Sequence, residues 1–341
     1  MDAACVAVLF AMVTPNLANP YGVVQFILVY DVIAFAPQPI FGLLVDRYRA
    51  PAQVAAAGIL LVAASTLLMG APFLAIVTAG IGNAVFHVGG GRLSLELAPG
   101  KATLPGIFVA PGALGLTIGI LIGKSGEFLA WPFLVLLLAL AVTVLVIPRP
   151  APLPRRALPG NLRWFETVIL LLLVSVAIRS LVGQSLVLPW KSDPSLLLAL
   201  TLAVVLGKAL GGILADRFGW AAVAVTGLVI SVPLLAFFTP LPALVILGTF
   251  LFNLSMPVTL ACLADMLPGK SGFAFGLTAL ALIIGALPAF LPLQAVTGAP
   301  GFIFVTILVS IAALFGGLRL YHRYFHASAP SLQPETQLEQ K

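Results

Sequence analysis

The sequence predicts an all-α integral membrane protein of about twelve transmembrane helices in two pseudo-symmetric six-helix bundles. Three observations predict it. Hydrophobic residues make up 61% of the 341 and charged residues only 8%, with a mean hydropathy of +1.16, so polar surface is too scarce to cover a water-soluble globule. Apolar runs of about 20 residues, the length that crosses a hydrocarbon core as a helix, recur between short clusters of Pro, Gly and charge. Motifs of the first half return in the second at a nearly constant offset.

Those clusters place the helices in order. The first, at about 2–14, ends at Thr14-Pro15-Asn16 and is too short to span unaided, as if an upstream half-turn or more were missing. The second, about 21–45, stops at Asp46-Arg47, and the third, about 52–69, lies between Pro51 and Gly70. The fourth, about 72–97, ends before Pro99-Gly100-Lys101; the fifth, about 102–123, ends at Lys124; the sixth, about 128–147, ends at Pro148. The seventh, about 165–188, stops at Pro189, and the eighth, about 194–215, runs from Pro194 to Asp216-Arg217. The last four are expected at about 220–238, 241–265, 272–293 and 299–320.

A net charge of +6 and a pI near 9.6 would suggest nucleic acid as the partner of a soluble protein, but these basic residues sit in short gaps between apolar runs. They read as topology instead. With both termini in the cytoplasm, Arg47, Arg49, Lys101, Arg149, Arg155, Arg156, Arg163, Arg217, Lys270, Arg319 and Arg323 fall on the cytoplasmic side of an inner or plasma membrane, and Lys124 and Lys191 face out. The Pro- and Arg-rich "PRPAPLPRRALPGNLR" then reads as a cytoplasmic linker at 148–164, between bundles at 1–147 and 165–321, and 322–341 reads as a disordered cytoplasmic tail. No basic leader with an A-x-A-like site is seen, so insertion is expected to rely on the helices themselves. Cys5 and Cys262 lie in apolar runs without metal-ligand spacing and are expected to be buried thiols. No cofactor and no metal are expected, and the chain is expected to be a monomer in the bilayer.

The repeat is specific. Asp46 and Asp216 are 170 apart, Glu96 and Asp265 are 169 apart, Pro99-Gly100-Lys101 returns as Pro268-Gly269-Lys270, and Gly106 and Gly115 return as Gly276 and Gly285. This is a parallel duplication of a six-helix unit. Gly42-x-x-x-Asp46-Arg47, echoed by Gly212-x-x-x-Asp216-Arg217, resembles the signature loop of the major facilitator superfamily, and the layout resembles that family over the whole chain. "NAVFHVGGGRLSLELAPGK" and "PGKSGFAFGLTALALIIGALP" are similar to its fosmidomycin-resistance-like branch of drug or metabolite exporters. The helix-5 pattern lacks the Gly-Pro pair of the drug-antiporter signature, and helix 4 lacks the mid-membrane Arg of that class, which departs from proton-coupled drug export.

Physical chemistry reads the loops without the resemblance. Gly42 and Gly212 allow close helix approach, and Asp46 and Asp216 can accept hydrogen bonds from the amides that begin a neighbouring helix. Arg47 and Arg217 can reach Glu96 and Asp265 and latch the cytoplasmic side; alternatively the pairs only cap and orient loops. Arg92, four residues before Glu96, is expected to bridge Glu96 or the Asp46 loop.

Charges found in one half alone mark the candidate cavity. Asp31, His87, Arg179 and Lys208 correspond to Thr201, Met256, Leu9 and Gln38. A charge at mid-helix costs about 2.5 to 3.5 kcal/mol on insertion scales, so such sites face water or each other. Asp31 and Gln38 share a face of helix 2, and Asn83, His87, Gly91 and Ser94 share one of helix 4. Arg179 and Lys208 suit an anionic solute, Asp31 and His87 a coupling proton, and Asn253 a neutral hydrogen bond; the plainer alternatives are a neutral packed His87 and an Asn253 that joins helices. The Gly112, Gly115, Gly119 and Gly123 face and the Gly207-Gly211 face are expected to pack closely, and Gly89-Gly90-Gly91 and Pro37-Pro39 to bend their helices.

The resulting expectation is a secondary transporter working by alternating access, moving a small solute with protons as coupling ion. Export of an anionic metabolite or drug stands first; uptake of a small organic anion by proton symport, a non-transporting sensor and a lipid flippase are the alternatives. An enzyme is not expected, because one intramembrane His with scattered acids supplies no acid–base or metal cluster.

Overall fold

The computed structural model describes residues 1–14, 20–126, 128–147 and 163–326. The helices are α1 (Asp2–Val13), α2 (Pro20–Phe35), α3 (Gln38–Tyr48), α4 (Pro51–Ser65), α5 (Pro72–Leu97), α6 (Thr103–Val109), α7 (Pro111–Lys124) and α8 (Ala130–Val146). They continue with α9 (Phe165–Ser185), α10 (Pro194–Phe218), α11 (Trp220–Phe237), α12 (Pro242–Asn253), α13 (Met256–Met266), α14 (Ser271–Ala286), α15 (Gln294–Thr297) and α16 (Pro300–Tyr321). Seven of them, α2, α4, α5, α7, α10, α12 and α16, begin on proline. The first amides of a helix have no internal partner, so the missing N–H costs nothing there. At α10 the preceding Asp193 completes the start: its Oδ1 accepts from the Ser195 hydroxyl (2.6 Å) and from the amides of Ser195 (2.8 Å) and Leu196 (3.1 Å). These bonds, the Ser195 hydroxyl first, hold the Asp193 carboxyl below the usual carboxylate range.

Among the described residues, nine helical spans are long and apolar enough to cross a membrane, and α1, α4 and α8 are shorter apolar helices. Together they make a multi-pass membrane protein of two six-helix bundles. The expected second, fifth and tenth helices are each broken once, at Ala36-Pro37, at Ala110 and at Leu254-Ser255. Pro37 and Pro39, Pro111, and Pro257 explain the breaks, since each removes an amide from the hydrogen-bond ladder. The expected eleventh helix stops early, at Ala286, and Pro288 lies in the 3-10 turn Leu287–Phe290 that follows. Gly89-Gly90-Gly91 does not interrupt its helix: α5 runs unbroken from Pro72 to Leu97. The glycines instead admit neighbours: the backbone of α4 at Gly89, the Phe108 ring at Gly90 and the Phe275 ring at Gly91. Most of the expected linker (148–162) and of the expected tail (327–341) lies outside the described residues, and 322–326 continue α16 as one turn of π-helix.

Two apolar cores fill the bundles. One gathers around Ile59 and Ile76 with Cys5, Leu9 and Leu137; the other around Leu172, Leu228, Leu235, Ile303 and Leu314. Leu95, Phe108, Leu260 and Phe275 form a small third cluster between them. Both cysteines are free and buried, Cys5 in the first core and Cys262 in the second. Small residues set the closest contacts. Gly112, Gly115, Gly119 and Gly123 of α7 lie against Asp2, Ala3, Ala7 and Ala11 of α1, and Gly207 and Gly211 of α10 lie against the α12 backbone and Leu254.

A side chain at Gly285 would collide with the Ala177 carbonyl of α9, whereas the space at Gly183 is open. Gly285→Leu should therefore destabilise by about 1–3 kcal/mol. In detergent its melting temperature should fall below that of Gly183→Ala; equal values would mean that α9 and α14 are not packed this tightly.

Candidate functional site

One end of the protein is closed by two carboxylates, each from one bundle, that cap the first turn of a helix in the other. Asp46, at the end of α3, accepts from the amides of Gly272 (2.9 Å) and Phe273 (2.8 Å) at the start of α14. Asp216, at the end of α10, accepts from the amides of Ala102 and Thr103 (both 2.9 Å) and the Thr103 hydroxyl (2.6 Å) at the start of α6. The leading amides of a helix lack internal acceptors and carry its positive end, so each carboxylate meets donors that nothing else in the helix satisfies. Gly42 lies directly on the Gly272 backbone, and Gly212 on that of Ala102 and Thr103; a Cβ at either would collide.

The supports of the two caps differ. Arg92 Nε lies 2.9 Å from Glu96 and 3.5 Å from Asp46, and its Nη1 donates to the Val45 carbonyl. Asp216 instead accepts from the Trp220 indole (3.1 Å), which stacks on Tyr321, and the Tyr321 hydroxyl donates to Asp265 (2.8 Å). Among the described residues the expected ion pairs of Arg47 and Arg217 with Glu96 and Asp265 do not appear: Arg92 binds Glu96, Tyr321 donates to Asp265, and Arg217 lies over the Phe218 ring at 5.4 Å. Among the described residues the latch is therefore built from carboxylates and helix-start amides.

Inward from this end an aromatic layer crosses the seam. Phe108 packs against Phe275 with ring centroids 5.9 Å apart, and His87 stacks on Phe275 at 6.3 Å. Phe275 comes from the second bundle, whereas His87 and Phe108 come from the first.

Above the layer lie two polar groups. In the first bundle His87 Nε2 is 3.0 Å from Asp2 Oδ1, and Asn83 Nδ2 donates to Asp2 (3.3 Å) and to the Tyr30 hydroxyl (3.1 Å). Gly112 and Gly115 make the room for Asp2; a Cβ at Gly112 would lie 3.2 Å from its Oδ2. Gly112 is nine residues past the capped start of α6 at Thr103, so Asp2 sits about 14 Å into the protein. In the second bundle Arg179, only 7% exposed, donates to the Ser175 carbonyl (3.2 Å), the Thr259 hydroxyl (2.6 Å) and the Ser255 hydroxyl. No carboxylate pairs with it among the described residues. A cavity of about 140 Å³ is lined by Arg179, Lys208, Ser180 and Asn253 and by the apolar Phe252 and Met256. Asn253 turns one donor back to the Thr249 carbonyl (2.8 Å).

The structure thus brings Arg179, Lys208 and Asn253 to one cavity, and His87 joins the aromatic layer and Asp2 instead. Gln38 is not there: it is fully buried where α3 meets Gly276, and its amide donates to the Ala34 carbonyl (2.8 Å). Asp31 has no hydrogen bond or ion pair among the described residues, and the carboxylate that meets His87 is Asp2, not Asp31. Sequence reasoning missed Asp2 because, as the second residue of a short helix, it reads as a membrane-surface residue. Ala3, Ala7 and Ala11 held the signal, since they match the glycine face of α7 and set Asp2 at its depth.

Capping side chains typically contribute about 0.5–2 kcal/mol each, so the closed end should open when both are removed. With spin labels at Arg49→Cys and Lys270→Cys, the Asp46→Ala/Asp216→Ala double variant should add a longer-distance population to the pulsed-EPR distribution. An unchanged distribution would mean that these caps do not hold the end shut.

No family model matches the chain. No curated protein matches it either. Solved structures do. The chain is similar to the E. coli fucose:proton symporter FucP, at 14% identity and a TM-score of 0.63, covering 93% of this chain and 97% of that one. A structure of FucP described as a Major Facilitator Superfamily transporter in the outward conformation aligns at 16% identity and a TM-score of 0.61, covering 94% and 98%. The human organic anion transporter MFSD10 aligns at 14% identity and a TM-score of 0.64, covering 92% and 98%. At these identities the likeness establishes the fold: the chain has the major facilitator fold.

Proposed function

We propose that this chain is a secondary active transporter that moves a small organic anion across the inner or plasma membrane by alternating access, with a proton as the coupling ion. The observation that carries this reading is the pair of cations, Arg179 and Lys208, lining one cavity at mid-depth with no acid paired to either among the described residues. Arg179 spends three of its five N–H groups on protein oxygens, which leaves two for a solute. Asn253 keeps one amide N–H for a solute, Ser180, whose hydroxyl donates to the Leu282 carbonyl, can only accept, and Phe252 and Met256 add an apolar wall.

The basic residues assign the sides. The closed end carries Arg47, Arg49, Arg217 and Lys270, an excess of basic residues that supports a cytoplasmic placement and with it an outward-facing conformation. The bundles 1–147 and 165–321 rock about the cavity, joined by the cytoplasmic segment 148–164, and the carrier works as a monomer. Asp31 and His87 are the candidates that the sequence offers for the proton, and Asp2 joins them from the structure. The fucose:proton symporter and the organic anion transporter support proton coupling and an anionic solute by analogy of fold. Similarity to the fosmidomycin-resistance-like branch points to export, and uptake of a small organic anion by proton symport is the alternative.

Hydrogen bonds to charged groups contribute about 1.5–3 kcal/mol, so Arg179→Ala and Lys208→Ala should each slow exchange of a transported organic anion by about 10- to 100-fold. Counterflow in proteoliposomes measures this for anions first found by thermal shift. Wild-type exchange in both variants would remove the cations from the solute site.

A further inference from the structure

We infer that the solute is a short dicarboxylate, held as a dianion with one carboxylate on Arg179 and the other on Lys208. The inference rests on the reading of this cavity as the anion site and narrows the class of anion that it takes.

Charge is the first argument. Arg179 and Lys208 both line the cavity, and neither has an ion pair among the described residues. A solute with one negative charge leaves one cation uncompensated in a site largely removed from water, whereas a dianion matches both.

Placement is the second. Arg179 stands on α9 and reaches the hydroxyls of Ser255 and Thr259 (2.6 Å). Lys208 stands on α10, next to Gly207, where a Cβ would lie 2.8 Å from the Cβ of Asn253. The broken helix α12 and α13 separates the two: α13 packs against both α9 and α10, which make little contact with each other. The cations thus come to the cavity from two helices and not as one cluster. Such a pair suits an anion with a charge at each end better than one with both charges on a single group, such as phosphate.

The remaining lining sets the size and excludes a third charge. Arg179 keeps two N–H groups for a solute and Asn253 one, and a carboxylate is an acceptor throughout. Ser180, which donates to the Leu282 carbonyl (2.7 Å), offers only an acceptor; it repels a further carboxylate and can accept from a hydroxyl. Val176, Leu282, Phe252 and Met256 give the carbon chain an apolar wall. The cavity of about 140 Å³ is close to the ~150 Å³ that admits benzene, which limits the solute to about six to eight non-hydrogen atoms. Malonate and succinate fall in that range; adipate and citrate exceed it.

Exchange of labelled succinate in proteoliposomes, at about pH 7.5 where it is a dianion, tests the inference. In the wild type, unlabelled succinate or malonate should compete at least about tenfold more strongly than monomethyl succinate, which keeps the chain and loses one charge, and than adipate or phosphate. In Lys208→Gln the advantage of succinate over monomethyl succinate should fall to about threefold or less; a merely structural role of Lys208 would weaken both competitors alike. Equal competition by the monomethyl ester, phosphate ahead of succinate, or an unchanged advantage in the variant overturns the inference, and the wild-type ranking decides even if the variant fails to fold. Wild-type exchange of labelled benzenesulfonate without exchange of succinate removes the dicarboxylate and leaves the anion site standing. Exchange of neither counts against the anion site itself.

Discussion

Two carboxylates that reach across the seam to cap the helices of the opposite bundle are the interaction on which the rest of this structure depends. The first amides of a helix have no internal acceptor, and where the other bundle covers them a side chain must accept in place of water. At α14 the acceptor is Asp46, and at α6 it is Asp216. Parting the bundles strips both helix starts and both acids of their partners at once, and they can part only as fast as water replaces the lost bonds. The closed end is therefore one of two alternatives, dry and capped or open and hydrated, with little room between. The aromatic layer of Phe108, Phe275 and His87 seals the next level, and the solute cavity follows above it.

The duplication repeats the caps but not what steadies them. Arg92 braces Asp46, yet its counterpart in the second half is Ala261 or Cys262; there Trp220 and Tyr321 serve instead. Gln38 and Lys208 occupy equivalent positions, and the backbone at each lies against equivalent glycines, Gly276 and Gly106. Their side chains diverge: the Gln38 amide folds back into its own helix, and Lys208 extends to the cavity. A scaffold that must rock about a pseudo-two-fold axis needs matching surfaces in both halves. A small solute would have no such symmetry, in keeping with the proposed solute-binding groups occurring once.

Much of this was legible in the sequence, and the remainder was hidden for identifiable reasons. Length and hydropathy located the helices, and an offset of 170 located the caps, because both are local patterns. The acceptance of helix-start amides by Asp46 and Asp216 could be anticipated from chemistry alone. Prolines marked boundaries well, but the same rule understated them at Pro111 and Pro257, where breaks fall inside an apolar run that still crosses as one span. The Arg47 and Arg217 contacts were misread because spacing says which residues share a helix end and not which way a long side chain leaves it. Gln38 and Asp31 lie seven apart on one face, yet Pro37 breaks the helix between them and the face does not continue. Asp2 was invisible for the opposite reason: its depth is set by the register of α1 against α7, a tertiary fact.

The energetics tie the closed end to the cavity. To move a two-state equilibrium from 1:99 to 99:1 a ligand must prefer one state by about 5.5 kcal/mol. Two caps at about 0.5–2 kcal/mol each fall below that figure, so they bias the closed end without locking it. An anion that gains about 1.5–3 kcal/mol from each charged partner is of the size needed to reverse the bias, provided that the gain differs between the two states. Arg179 bonds to Ser175 of α9, Ser255 in the break and Thr259 of α13, all within one bundle, and by itself gives a solute no reason to prefer either conformation. The preference must come from a group whose surroundings change when the bundles move. Lys208 is such a group, since it lines the cavity while its backbone lies against Gly106 of the other bundle.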